Sequence, residues 1–139
     1  MYSVFVDSDV VISSLISEKG AAYFTLHRKD INPCISSVQI TELNEVIDRL
    51  RLDRSKFNSL AIDQLETVAL NQSIKEIKLY FKEYVIDEDD AHIVAGAKKA
   101  KVSFLVSYNI RHFKVEKIKR DFNILIKTPG GLLQYLRSL

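Results

Sequence analysis

The chain of 139 residues contains one cysteine, Cys34, so neither a disulfide framework nor a cysteine-built zinc site is open to it. Prolines number two, Pro33 and Pro129, and each reads as an element boundary; no linker, repeat or low-complexity stretch is present. No apolar run approaches the roughly 20 residues that a membrane-spanning helix needs. The opening Met1-Tyr2-Ser3-Val4-Phe5-Val6-Asp7 lacks a basic region and a cleavage site, which predicts a cytoplasmic protein with no membrane association. Charge of one sign is lacking too, since 20 bases against 18 acids leave a net +2, too little to announce a nucleic-acid partner. What is present, 47% hydrophobic and 27% charged residues, is ordinary for a globular protein with a sizeable core. One domain over residues 1–139 is the expectation.

The small net charge conceals an asymmetry. Eight of the bases and one acid fall between Lys98 and Arg120, giving +7 there and −5 over the rest of the chain. A charge cluster alone reads first as a solvated lysine-rich face. A phosphate-binding surface needs the same asymmetry.

The apolar pattern alternates strands with helices. Ser3-Val4-Phe5-Val6 reads as a continuously apolar strand covered on both faces. Val10–Ile16 reads as helix, with a second short helix through Tyr23 and Leu26. Pro33-Cys34-Ile35-Ser36 predicts another strand, and Ser36 with Gln39 a capping box opening a helix on the stripe Ile40, Leu43, Ile47 and Leu50. A helix is expected from about Arg54 to Leu70, while residues 74–86 fit either a short strand or a helix. Asp89–Lys101 predicts a helix rich in small residues, able to lie close to a sheet. Strands are expected at Ser103–Val106 and Asn123–Ile126, with a closing helix over Gly130–Leu136. This order predicts an α/β fold, a three-layer α/β/α sandwich around a central, mainly parallel sheet.

Ligands of open parallel sheets bind beyond the carboxyl ends of the strands. The first strand ends in Asp7-Ser8-Asp9 and the third in Ser107-Tyr108-Asn109, so two strands deliver oxygen side chains to one edge. Asp90 with Ile93, Val94 and Ala97 follows helical spacing, which places its carboxylate on the buried stripe, where an acid needs a cation, a base or several donors. Glu88 and Asp89 read as a solvated helix start, and Asp87 is open between the two readings. Glu42, beside its helix stripe, is undecided on physics alone. Converging carboxylates without cysteine point to a hard divalent cation, Mg2+ or Mn2+. His27, His92 and His112 are scattered in sequence and read as surface or structural residues.

Five segments in order resemble the PIN-domain family. They are Val4–Ser13 with its Asp7-Ser8-Asp9; Ser37–Glu42; Asp87–Ala97, an acid opening an alanine-rich helix; Leu105–Phe113; and the tail Thr128–Leu133. The tail is similar to a branch found among toxin components of toxin–antitoxin pairs (VapC-like). The resemblance implies a divalent-metal-dependent endoribonuclease acting on single-stranded RNA. Asp7, Glu42 and Asp90 would hold Mg2+ or Mn2+, with Asn109 at the fourth catalytic place and Ser8, Asp9 and Ser107 in support. The family pattern often has an acid where this chain has Asn109, which removes one negative charge from the site. Hydrolysis would leave a 5′-phosphate, with Arg111, Lys114, Lys117 and Lys119 holding the RNA backbone. A cognate antitoxin and a homodimer are the partners such a branch implies.

Two other readings compete. A PIN-like module that binds RNA or protein without cutting draws on Asn109. A phosphoacceptor receiver domain draws on size and on Lys127 before Thr128-Pro129, but it needs an acceptor aspartate after a middle strand, where residues 37–70 read as helix.

Overall fold

The computed structural model describes every residue from Met1 to Leu139. Five strands form one all-parallel sheet: β1 (Tyr2–Val6), β2 (Ile31–Ser36), β3 (Glu66–Val68), β4 (Phe104–Val106) and β5 (Leu125–Lys127). Their order across the sheet is β3-β2-β1-β4-β5. The order reverses direction between β1 and β4, and that is where an open α/β sheet leaves a crevice for ligands. A receiver domain has its first and third strands side by side, so this order rules that reading out.

Eight α-helices cover the two faces. On one lie α1 (Ser8–Ile16), α2 (Ala21–His27), α3 (Ser37–Arg49), α4 (Arg54–Asp63) and α8 (Pro129–Arg137), closing a core with Val4, Val6, Ile35 and Val106. On the other lie α5 (Ile74–Phe81), α6 (Ala91–Ala100) and α7 (Val115–Phe122), packed on Phe5, Cys34, Leu105 and Ile126. Residues of β1 thus alternate between two cores, the reason the strand is apolar throughout. The predicted three-layer sandwich is the observed one. No helix is long and apolar enough to cross a membrane.

Local chemistry explains most boundaries. The Ser36–Gln39 capping box opens α3, and a second box, Ser73 with Glu76, opens α5. The undecided residues 74–86 are therefore helical, α5 continuing into a 3-10 turn at Lys82–Tyr84. The small residues of α6 do bring it close to the sheet, for a Cβ on Gly96 would collide with the Phe5 ring.

Three expectations need correction. The helix from Arg54 ends at Asp63, and Glu66–Val68 is the edge strand β3, paired with Cys34–Ser36. Leu65 and Val68 imitate a helical spacing, but Leu65 lies outside the strand and Val68 pairs with Ser36 on the open edge of β2. Pro33 lies inside β2 opposite Val4; pairing with β3 starts one residue later, at Cys34, so β2 has a neighbour on one side only at the proline. Glu88–Asp90 form a 3-10 turn, and α6 starts after it, so Asp90 sits at the helix cap, its side chain 33% exposed, instead of on the buried stripe. Its stripe partners Ile93, Val94 and Ala97 are buried as expected. The basic run after Asn109, finally, contains the amphipathic helix α7, anchored by Ile118.

Candidate functional site

β1 and β4 end side by side, Val6 opposite Val106, so the residues that follow them meet at the reversal point of the sheet. Asp7 leaves β1 and caps α1, its Oδ1 accepting from the Ser8 backbone N–H at 2.7 Å. The Ser107 hydroxyl donates to Asp7 Oδ2 at 2.8 Å and accepts from the Asn109 N–H at 3.0 Å. Asp9, in the first turn of α1, accepts on Oδ2 from the Tyr108 N–H and from the Asn109 side-chain amide, both at 3.0 Å. Its other oxygen, Oδ1, is buried with no hydrogen-bond partner. The loop after β4 is therefore tied to the cap and first turn of α1 by three hydrogen bonds, and a fourth, Asn109 N–H to Ser107, braces the loop itself.

Ser8 is held from the opposite side. The fully buried Gln39 donates to the Val6 carbonyl at 2.8 Å and to the Ser8 hydroxyl at 3.2 Å, while its Oε1 accepts from the Ser36 N–H. A residue expected only to cap α3 thus also fixes the end of β1 beneath Asp7.

Asp90 faces this edge from the start of α6, and Asp7 and Asp90 are near enough for each charge to oppose the other. His112 Nδ1 stands 3.5 Å from Asp90 Oδ2. Glu42, in the second turn of α3, is half-exposed and reaches the group through His92, whose Nε2 lies 3.3 Å from Glu42 Oε1. The His92 ring is buried and its Nδ1 is unpartnered. The histidines are not scattered in space, since His92 and His112 flank the acids; only His27 stands apart, stacked on Tyr23. Their sequence signal was proximity, two residues after Asp90 and three after Asn109. Asp87 is a local cap for the Asp89 N–H, and Asp89 pairs with Lys78 at 2.8 Å.

The electrostatics follow from burial. Burial first, and the charge of Asp9 second, push the Asp7 carboxyl up to about 6, against the pull of its Ser107 and Ser8 hydrogen bonds. Burial also raises Asp9, against its hydrogen bond from the Tyr108 N–H, and Asp90, opposed by His112. No lysine or arginine pairs with Asp7, Asp9, Asp90 or Glu42. The site carries concentrated negative charge without a resident cation side chain.

A hard divalent cation fits this chemistry, because every donor at the edge except the imidazoles is oxygen and one buried carboxylate oxygen is unclaimed. No three of the acidic, histidine or cysteine side chains close into a ready-made metal cage. Of the basic residues proposed for the RNA backbone, Arg111, Lys114 and Lys119 are exposed and make no ion pair. Lys117 is committed elsewhere, 3.1 Å from Glu83 and over the Tyr84 ring.

Fold and site together define an α/β/α sandwich with an uncompensated acidic crevice at the reversal point of its sheet. The PIN domain model matches residues 3–111, and the chain belongs to the PIN domain family. The match spans β1 to the Asn109 loop, so it contains all four acids. No curated protein matches the sequence. Among solved structures, the chain is similar to a toxin–antitoxin complex from Klebsiella pneumoniae, at TM-score 0.66 and 18% identity over 91% of this chain and 97% of that one. It is also similar to VapBC2 from Rickettsia felis bound to a DNA fragment from their promoter, at TM-score 0.62 and 18% identity, covering 91% and 98%. At that identity the likeness is one of fold.

Proposed function

We propose that the protein is a divalent-metal-dependent endoribonuclease that hydrolyses single-stranded RNA. The observation that carries this reading is the meeting of Asp7, Asp9 and Asp90 at one crevice, each carboxyl pushed upward and none paired with a lysine or arginine. Asp7 and Asp90 would hold the cation, and Glu42 would reach it through water. Mg2+ commonly keeps several waters and takes only one or two carboxylates, which suits acids that form no closed cage. When bound, the cation supplies a Lewis acid that activates water and offsets charge on the phosphate.

The chain's own residues do the positioning. Ser107 orients Asp7 through the 2.8 Å hydrogen bond, and the Asn109 amide orients Asp9. Arg111 and Lys114, exposed beside the crevice loop, bind phosphates of the strand. Water attacks phosphorus in line and the 3′-oxygen leaves, giving a 5′-phosphate end. Membership of the PIN family supports the nuclease reading, and likeness in fold to toxin–antitoxin complexes supports a toxin role with a small antitoxin as partner.

The test is cleavage of a labelled single-stranded RNA pool with Mn2+ or Mg2+. Cutting that leaves 5′-phosphate ends is expected, with EDTA, Asp7→Asn and Asp90→Asn each lowering the rate by about 100-fold or more, on the scale of losing transition-state charge stabilisation. Folded, metal-loaded protein that binds RNA and cuts nothing would transfer the assignment to a non-cleaving RNA-binding module.

A further inference from the structure

The basic run between Lys98 and Arg120 does not make one surface. Lys98, Lys99 and Lys101 cluster where α6 ends and the chain turns into β4. Since β4 runs parallel to β1, that is the end of the sheet away from Asp7. Two adjoining clefts open around these lysines, of about 280 and 390 Å³. Phe81 and Gln72 line the first, with all three lysines; Phe122, Asn123 and Ser103 line the second, with Lys98 and Lys101. No carboxylate lines either cleft.

The three lysines are exposed and make no ion pair, whereas Lys56, Lys78 and Lys117 each lie within 3.3 Å of a carboxylate. The Lys98 ammonium is held 5.7 Å from the Phe81 ring centroid and 5.1 Å from that of Phe122, so one cation is already positioned between the clefts. The C-terminal dipole of α6 offsets part of the repulsion among the three charges, and no acid offsets the rest.

We propose that this face is a second binding site, for the phosphates of a single-stranded nucleic acid. Lysines without acids supply the backbone contacts, and Phe81 and Phe122, each partly exposed in the cleft it lines beside Lys98, offer apolar ring surface for unpaired bases, unlike those of a duplex, to pack against. The inference rests on the nuclease reading and extends it. From this face α7 leads back to the acidic crevice, its eight residues spanning about 12 Å. A shallow cleft along that path carries the unpaired Arg111 and Lys114, with Glu116 and the ion-paired Lys117 and Arg120 also in its lining. A long strand engages both ends of the molecule, and a short one only the crevice.

The experiment measures binding of labelled short and long oligouridines by anisotropy over a range of salt, in Asp7→Asn protein without metal. K98Q/K99Q/K101Q is compared with K19Q/K29Q/K75Q, which removes the same charge from exposed, unpaired lysines elsewhere. The first triple variant is expected to weaken long-RNA binding about tenfold and to flatten the salt slope by about 2, at roughly 0.7 for each phosphate no longer neutralised. The control triple leaves both nearly unchanged, and the first triple, made in otherwise native protein, cuts short oligonucleotides at the native rate. Deoxyuridine strands and duplex DNA form the other arms; equal binding of the two single strands assigns recognition to the backbone. Equal effects of the two triples, no effect of the first, or tighter binding of the duplex would overturn the proposal. RNA binding and cleavage that persist through such a result leave the nuclease reading standing, whereas the absence of both overturns that reading instead.

Discussion

Asn109 replaces an acid that the family pattern often carries, and its partner explains how the crevice tolerates the exchange. Its amide donates to Asp9 Oδ2 at 3.0 Å, so the negative charge at this edge resides on Asp9 while Asn109 holds it in place. An aspartate at 109 would bring a second carboxylate against the first, and two carboxylates at that range cannot both stay ionised. Asn109→Asp alone is therefore expected to cost about 1–3 kcal/mol of stability at neutral pH, the scale of a lost hydrogen bond to a charged group, and to lower cleavage. Asp9→Asn with Asn109→Asp restores one donor facing one acceptor. The pair should show a coupling of about 1–3 kcal/mol in a double-mutant cycle read by urea denaturation, with cleavage recovering in parallel. Additive losses would remove the pairing account.

At the scale of elements, α6 decides where Asp90 is presented. The helix lies on β1 closely enough that the Phe5 ring, fully buried, occupies the space a Cβ at Gly96 would need. Phe5 has no free side to swing into, so the helix itself must move. Gly96→Ala is expected to destabilise the fold by about 1–3 kcal/mol, the usual cost of overpacking, although alanine is the better helix former. Chemical denaturation measures it, and an unchanged midpoint would show that α6 can lift without penalty. The same closeness was visible in the sequence as Ala91, Ala95, Gly96, Ala97 and Ala100. The strand β3 was not, because Leu65 and Val68 fit a helical stripe as well as a strand. The helix α7 was masked by its charge, since charged residues separate Val115, Ile118 and Phe122.

For the whole molecule, the raised carboxyls tie stability to pH and to metal. Asp7 moves from its ordinary 3.8 to about 6, so between those values the folded protein holds more protons than the unfolded chain. Stability accordingly falls as pH rises across that window and levels above it. Asp7 alone contributes on the order of 2–3 kcal/mol to the fall, at about 1.4 kcal/mol per pKa unit. Asp9 and Asp90, shifted the same way, add to it. Asp7→Asn should therefore be more stable than the parent at about pH 7.5 without metal, with the difference shrinking toward about pH 4. Saturating Mn2+ should reverse the order, adding about 4.1 kcal/mol to the parent at a thousandfold excess over Kd and much less to the variant. Urea titrations at both pH values, with and without Mn2+, read all four combinations. A parent whose stability rises between about pH 4 and 6 would contradict the burial of these acids.

Sequence alone determined the layers and the edge. A strand apolar at every position must be covered on both faces, and Asp7 and Ser107, directly after such strands, must emerge at the same end of a parallel sheet. The PIN resemblance also rested on local segments, and the match over residues 3–111 agrees with it. Tertiary structure decided the rest, because it depends on what lies across space. Asp90 left the buried stripe for a partly exposed place at the helix cap only because α6 began two residues later than its spacing implied. His92 and His112 joined the acids only when α6 and the Asn109 loop met at the crevice. The basic run divided in two because β4 carries the chain from one end of the sheet to the other between Lys101 and Arg111. Periodicity records which face of its own element a residue takes; which partner waits there is settled by the packing of elements far apart in sequence.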